Sequence, residues 1–163
     1  MLLADVRTAA PGDATAISRL LAEAIREDYG SALGEIRVGR LVSDHCALPR
    51  IRAEIGIPGG APGWLGWLVA AGPDGAVLGA VSGGVPVASE GEVYALCTTP
   101  TRRREGVGTA LLAAATERMR AHGALSQRIG LPVEEAPALP FFTHHGFTAL
   151  TPLRLGRPLR RLA

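Results

Sequence analysis

Lysine and asparagine are both absent from the chain, so all 17 of its basic residues are arginine. Without lysine, no Gly-Lys-Ser/Thr phosphate loop of the kinase type can be built. Without asparagine, any motif that uses that side-chain amide has to place another residue there. The double absence reads as a compositional bias of the source genome. Cysteine is nearly absent too: Cys46 and Cys97 lie far apart with no second pair, which excludes a disulfide framework and a cysteine zinc site. That scarcity fits a reducing, intracellular compartment. Long apolar runs are missing, since the longest, around Trp64 to Ala71, falls far short of the roughly 20 residues of a membrane helix. The opening Met1 to Arg7 lacks the basic and apolar regions of a signal peptide. A soluble, cytoplasmic protein is expected. Charge imbalance is also slight. Seventeen basic against fifteen acidic residues leave +2, too little for a nucleic-acid footprint, so neither nucleic acid nor membrane is an expected partner.

The 163 residues suffice for one domain with a real core, spanning 1–163. Leu2 to Arg7 reads as a strand, and Asp13 as the cap of a helix starting near Ala14. Ile17, Leu20, Leu21, Ala24 and Ile25 give that helix one buried face, and Tyr29-Gly30 is its expected end. Residues 31–57 keep a mostly helical pattern, interrupted at Gly39 and Pro49, before the breaker-rich loop Pro58 to Gly63. The pattern then changes to strands at 64–71, 76–87 and 92–98, with Gly72-Pro73-Asp74-Gly75 as a hairpin turn. A helix is expected over 107–121, stopped by Gly123. A strand at 127–133, a short helix from Pro137 to His145 and a last strand opening at Gly146-Phe147 complete the chain. The arginines from 157 to 161 read as a solvated end.

Between the third of those central strands and the long helix lies Arg103-x-x-Gly106-x-Gly108. A strand, a glycine loop and a helix in that order aim backbone N–H groups and the positive end of a helix dipole at one point, which attracts phosphate. Glycines at 106 and 108 let the main chain approach an anion, and Arg102, Arg103 and Arg104 add charged donors. A tight turn with a solvated basic rim has the same composition. The dinucleotide fingerprint is excluded, because Leu111 stands where a third glycine belongs and the preceding strands form a meander.

Taken together with its flanks, this loop resembles the GNAT superfamily of acyl-CoA-dependent N-acyltransferases, whose pyrophosphate loop is written Q/R-x-x-G-x-G/A. Glu92 to Pro100 resembles the family's fourth strand and its trailing proline. Ile129-x-Leu131, Glu135-x-x-Ala138 and Phe141 to Phe147 resemble its fifth strand and following helix, and Val6-Arg7-x-Ala9 with Asp13 its first strand and helix. The resemblance spans residues 5 to 147. It implies an α/β fold with a mixed, mostly antiparallel central sheet flanked by helices and a splay between the fourth and fifth strands. It also implies acetyl-CoA as co-substrate, no metal, and transfer of acetyl to a primary amine within a ternary complex. The implied partner is an amine acceptor, a small molecule or a protein, and a homodimer is one assembly open to the chain.

The resemblance also assigns residues. Arg103, Arg104, Gly106, Val107, Gly108 and Thr109 would hold the pyrophosphate. Leu96, Cys97 and Thr98 would offer main-chain N–H groups to the thioester carbonyl and pantetheine, with Phe142 packing near that arm. Glu92 falls where the histone-acetylating branch carries its general base, and a solvated strand residue is the plainer alternative. Tyr94 shares its face by strand period, to act or to line the site. Two departures stand out: Glu135 replaces the family's common Asn, and Phe142 its frequent Tyr, whose hydroxyl is held to protonate the departing thiolate. A thiolate, with an ordinary pKa of about 8.5, is a tolerable leaving group without help; His144 and His145 are alternative donors. An acyl-enzyme on Cys97 lacks an assigned base. Phe142 also favours a second reading, a non-catalytic acyl-CoA-binding or sensing module.

Overall fold

A computed structural model describes residues 4–56 and 62–160. Strand β1 (Asp5–Thr8) leads through a 3-10 turn at Pro11–Asp13 into helix α1 (Ala14–His45) and then α2 (Leu48–Gly56). Strands β2 (Trp64–Ala71), β3 (Val77–Val87) and β4 (Glu90–Thr98) follow, then α3 (Val107–Ala121), β5 (Ser126–Gly130), α4 (Leu139–His144), β6 (Thr148–Thr151) and β7 (Arg154–Pro158). The strands form one seven-stranded sheet in the order β1-β2-β3-β4-β5-β7-β6. Every pairing is antiparallel except β4 with β5, which a crossover through α3 makes parallel. This is the mixed, mostly antiparallel α/β fold expected. Residues 2 and 3 of the expected first strand and most of the Pro58 to Gly63 loop lie outside the described residues.

Both faces of the sheet are covered, as the alternation along β2 shows. Trp67 and Val69 face α1 and α2 with Ala80 and Cys97, while Leu68 and Ala70 face α3 with Val81, Val93, Leu111 and Leu112. Helix α3 sits close because β3 and β4 present glycines to it. A Cβ built on Gly79 would come 2.8 Å from the Cys97 carbonyl and 2.8 Å from Leu111 Cδ1. Gly123, at φ +86, stops α3 where expected.

Several local expectations need correction. Helix α1 does not end at Tyr29-Gly30; it continues and bends at Gly34, whose φ of 77 and ψ of 167 suit only glycine. Asp13 does not cap α1 through its side chain. Its carboxylate reaches back, accepting from Arg7 Nη1 (2.7 Å), Arg7 Nη2 (3.0 Å) and the Ala10 N–H (2.7 Å). Strand β5 stops at Gly130 rather than Val133, since Pro132 has no N–H to continue a ladder.

Of the C-terminal arginines, Arg160 is exposed as expected and Arg161 lies outside the described residues, but Arg157 is not part of a solvated end. Strand β7 inserts between β5 and β6, and Arg157 turns into the fold. Its guanidinium donates to Gln127 Oε1 (3.0 Å), the His145 carbonyl (2.6 Å) and Thr116 Oγ1 (3.2 Å), and lies 4.7 Å from the Phe147 ring centroid. Gln127 is fully buried, so this network satisfies a polar group the core would otherwise strand.

Two stability predictions follow from these contacts. Gly79→Ala is expected to cost about 1–3 kcal/mol in urea unfolding, because carbonyl and helix both oppose the new methyl. Arg7 foremost, and the Ala10 N–H, hold the Asp13 carboxyl below its ordinary value against the opposing effect of burial. Its stabilisation is therefore complete above the unfolded-state pKa of about 3.9 and lost as pH falls through the lower folded value. Acid titration of unfolding should show that slope in the native protein and a shallower one in Asp13→Asn.

Candidate active site

The site begins where two strands part. β4 and β5 pair from Glu90↔Ser126 to Val93↔Ile129 and no further, although β4 continues to Thr98 against β3. On the β5 side, the main chain from Tyr94 to Thr98 has no strand partner. A bulge contributes to the divergence. Ser82 pairs with Ala95 and Gly83 with Val93, so Tyr94 is the extra residue, and a bulge bends its strand.

Beyond β4, a 3-10 turn (Pro100–Arg102) and an extended Arg103 lead to Arg104 at φ 67 and Gly106 at φ 86. A non-glycine residue in the left-handed region costs energy, and here two such turns aim the chain at the start of α3. The first intrahelical bond is Ala110 N–H to the Gly106 carbonyl (3.0 Å), which leaves the N–H groups before it without helical partners. No acidic side chain sits in the first turn of α3. Gly106 has open space where a Cβ would point, and Gly108 packs 3.4 Å (as a virtual Cβ) from Phe141 and 3.7 Å from the Thr98 methyl. Thr98 thus joins the loop, while Thr109 Oγ1 lies 3.3 Å from His145 Nε2.

The open edge of β4 faces a cavity of about 800 Å³. Leu96, Cys97, Phe142 and Tyr94 line it. The opposite wall comes from α1 and α2, with Asp28, Tyr29 and Glu54, and from Trp64 and Trp67 of β2. Glu54 fastens that wall. It accepts from Trp67 Nε1 (2.7 Å) and Arg50 Nε (2.8 Å), and its carbonyl accepts from Trp64 Nε1 (3.1 Å). The Trp64 and Tyr94 rings lie 5.6 Å apart. Nothing in the sequence singles out Tyr29, Glu54 or the tryptophans for a site, because helical spacing alone does not show that α1 and α2 face an open strand edge.

Glu92 is not among the residues lining the cavity. It lies in the paired half of β4, and Arg154 Nη2 donates to both its oxygens at 3.0 Å. Tyr94 reaches the cavity, its hydroxyl pushed up by burial and then by Glu92. Burial pushes the Tyr29 hydroxyl up to about 12, with Asp28 adding and Arg103 opposing. Neither His144 nor His145 lines the cavity. His145, stacked 4.7 Å from Phe141, is pushed down by burial first, then by His144 and Arg157. Cys97 is buried and its thiol pushed up to about 12, so it stays protonated and is no nucleophile. Of the loop arginines, Arg103 is held by Asp28 (2.6 Å) and Arg102 lies 3.6 Å from Glu105. Among the described residues no cluster of His, Cys, Asp or Glu could hold a metal, and no helix is long and apolar enough to cross a membrane.

Comparison with known proteins decides the family. The model of the acetyltransferase (GNAT) family matches residues 40–147, which include the cavity's strand edge and the whole glycine loop. The chain belongs to this family. Among solved GNAT-type structures it resembles the PaiA N-acetyltransferase of Thermoplasma acidophilum in complex with coenzyme A, at TM-score 0.83 and 17% identity, over 97% of this chain and 100% of that one. A GCN5-related N-acetyltransferase of Rhodopseudomonas palustris superposes at TM-score 0.78 with 18% identity, over 98% of each chain. At these identities the likeness is one of fold. A curated relative, the mycothiol acetyltransferase of Beutenbergia cavernae, is 37% identical over 82 residues, 50% of this chain and 28% of that protein. The chain thus matches little more than a quarter of that relative's length.

Both cysteines are buried and unpaired, and burial pushes Cys46 up to about 11. In the folded GNAT chain each is expected to react with iodoacetamide more than about tenfold slower than free cysteine at mildly alkaline pH. Mass spectrometry should find rapid labelling of both only after unfolding.

Proposed function

We propose that the chain is an N-acetyltransferase that moves acetyl from acetyl-CoA to a primary amine by direct transfer in a ternary complex. The observation that carries this reading is the open edge of β4 from Tyr94 to Thr98, where alternate main-chain N–H groups point away from β3, together with the N–H groups in the first turn of α3. The family and the coenzyme A bound by the Thermoplasma protein support it.

The fit to a diphosphate rests on chemistry present in the loop. Free N–H groups at Val107, Gly108 and Thr109, a Cβ-free approach at Gly106, and Arg103 with Arg104 make a cationic cradle. Main-chain donors near Leu96, Cys97 and Thr98 would hold the thioester carbonyl and stabilise the oxyanion that forms as the amine nitrogen attacks. The carbon–sulfur bond then breaks and the thiolate departs with its electron pair. Phe142 packs beside that arm and supplies no proton. The nitrogen must first lose the proton of its ammonium form. Glu92, two residues before Tyr94 and fixed by Arg154, is assigned that proton, relayed from the cavity.

Phe142 also supports a second reading, an acyl-CoA-binding module that does not turn over, because the cavity lacks a hydroxyl at that position. Incubation with acetyl-CoA and a panel of primary amines, followed by free-thiol release, tests the transferase directly. Thiol release that depends on an amine is expected, and release from none of the panel despite coenzyme A binding favours the module. Two variants sharpen the assignment. Gly106→Ala, which forces a Cβ into a left-handed backbone beside the anion, should weaken coenzyme A binding about tenfold in calorimetry. Glu92→Gln should lower kcat about 10²–10⁴-fold with little change in coenzyme A affinity, whereas full turnover would place the base elsewhere.

A further inference from the structure

The two halves of the site are joined by one ion pair. Arg103 Nη1, on the anion loop, donates to Asp28 Oδ1 of α1 at 2.6 Å, across 75 residues of sequence. The Asp28 side chain is 18% exposed and lines the acceptor side of the cavity, whereas Arg103 is 37% exposed. If the loop holds a diphosphate, that ligand offers Arg103 a denser negative charge than one carboxylate does.

Asp28 would then be left without its cation. The cavity it lines is mainly apolar, with Leu21, Ala24 and Ile25 of the same helix and Trp64, Trp67 and Tyr94 elsewhere in the wall, and His45 and Arg50 as its basic side chains. An unpaired carboxylate in such a setting is costly and recruits whatever cation can reach it. The other carboxylate of the cavity is already committed, since Glu54 is held by Arg50 and Trp67. Arg50 is bound to Glu54 and to the Asp44 carbonyl, which leaves it no reason to replace Arg103.

Resting on the acetyl-CoA reading above, we propose that Asp28 is the acceptor-binding carboxylate and that it changes partners. It releases Arg103 to the diphosphate and then pairs with the ammonium of the incoming amine. The lining selects the substrate class as well: a primary amine on an apolar or aromatic body, with its charged end at Asp28 and its body in the cavity that Trp64, Trp67 and Tyr94 also line. Because the exchange links two sites, the coupling is reciprocal. Coenzyme A strengthens amine binding, and amine strengthens coenzyme A binding. Asp28 positions the acceptor nitrogen, and the bond-making step remains as described.

Asp28→Asn, titrated with coenzyme A alone, separates this role from a structural one. Loss of a competing carboxylate is expected to tighten coenzyme A about three- to tenfold, the scale of a half-exposed ion pair. A residue that merely holds Arg103 in place predicts weaker binding, and equal or weaker binding overturns the proposal. The native protein supplies a second measurement that needs no variant. Phenethylamine, followed by tryptophan fluorescence, should bind at least about fivefold more tightly with coenzyme A present than without it. Binding that is the same in both conditions, or undetectable in both, overturns the proposal. In Asp28→Asn the coenzyme A dependence should disappear while coenzyme A affinity persists. Failure of the native protein to bind coenzyme A at all would instead sink the acetyl-CoA reading itself.

Discussion

The constraint on which the rest of the structure depends is a sheet that stops pairing in its middle. After Val93 and Ile129, β4 and β5 no longer exchange hydrogen bonds, yet β4 is kept extended to Thr98 by β3 on its other side. Main-chain donors and acceptors left open inside a protein are expensive unless a partner arrives. A fold that maintains them beside a cavity of about 800 Å³ has in effect built half of a β-ladder for a ligand to complete. The extra residue at Tyr94 and the proline at 132 act on the same opening, one by bending β4 and the other by ending the ladder of β5.

What keeps the opening rigid lies on both sides of the sheet. Under it, Gly79 lets α3 seat against β3, so the first turn of that helix stands beside the end of β4. Above it, Glu54 draws α2 onto the two tryptophans of β2. At the far edge, β7 closes over β5 and sends Arg157 to the buried Gln127 and Thr116, fixing β5 against α3. The parts of the chain that frame the cavity are therefore held by packing and polar networks, of which the Glu54 network is itself part of the cavity wall.

Much of this was legible in the residues. Arg103, Gly106 and Gly108 mark the loop because the left-handed turn at Gly106 and the close packing at Gly108 restrict side chains at the helix entry, and α3 follows with the bounds its apolar spacing sets. The strand meander and its 72–75 turn are equally local in origin, with Gly75 at φ 82 and its N–H bonded to the Gly72 carbonyl at 2.9 Å. The C-terminal strand was misread because a cluster of arginines suggested solvent, although Leu153, Leu155 and Leu159 alternate around it; a long polar side chain can be drawn inward by a buried amide, which no pattern of charge displays. The ends of helix α1 were misread for a related reason, since Gly30 tolerates a helix and only the backbone at Gly34 shows which glycine breaks it. The cavity wall built by α1, α2 and β2 was the least legible part. Asp28, Tyr29, Glu54, Trp64 and Trp67 are distant in sequence and meet only through the packing of α1 and α2 on the sheet.

The central claim concerns backbone amides, and amide hydrogen exchange reads them directly. Addition of coenzyme A to the folded protein should slow exchange at Leu96 and Thr98 and at Val107 to Thr109, with the paired stretch from Gly91 to Val93 unchanged. Unaltered exchange at both open segments, under conditions in which coenzyme A is shown to bind, would place the ligand elsewhere and contradict the account.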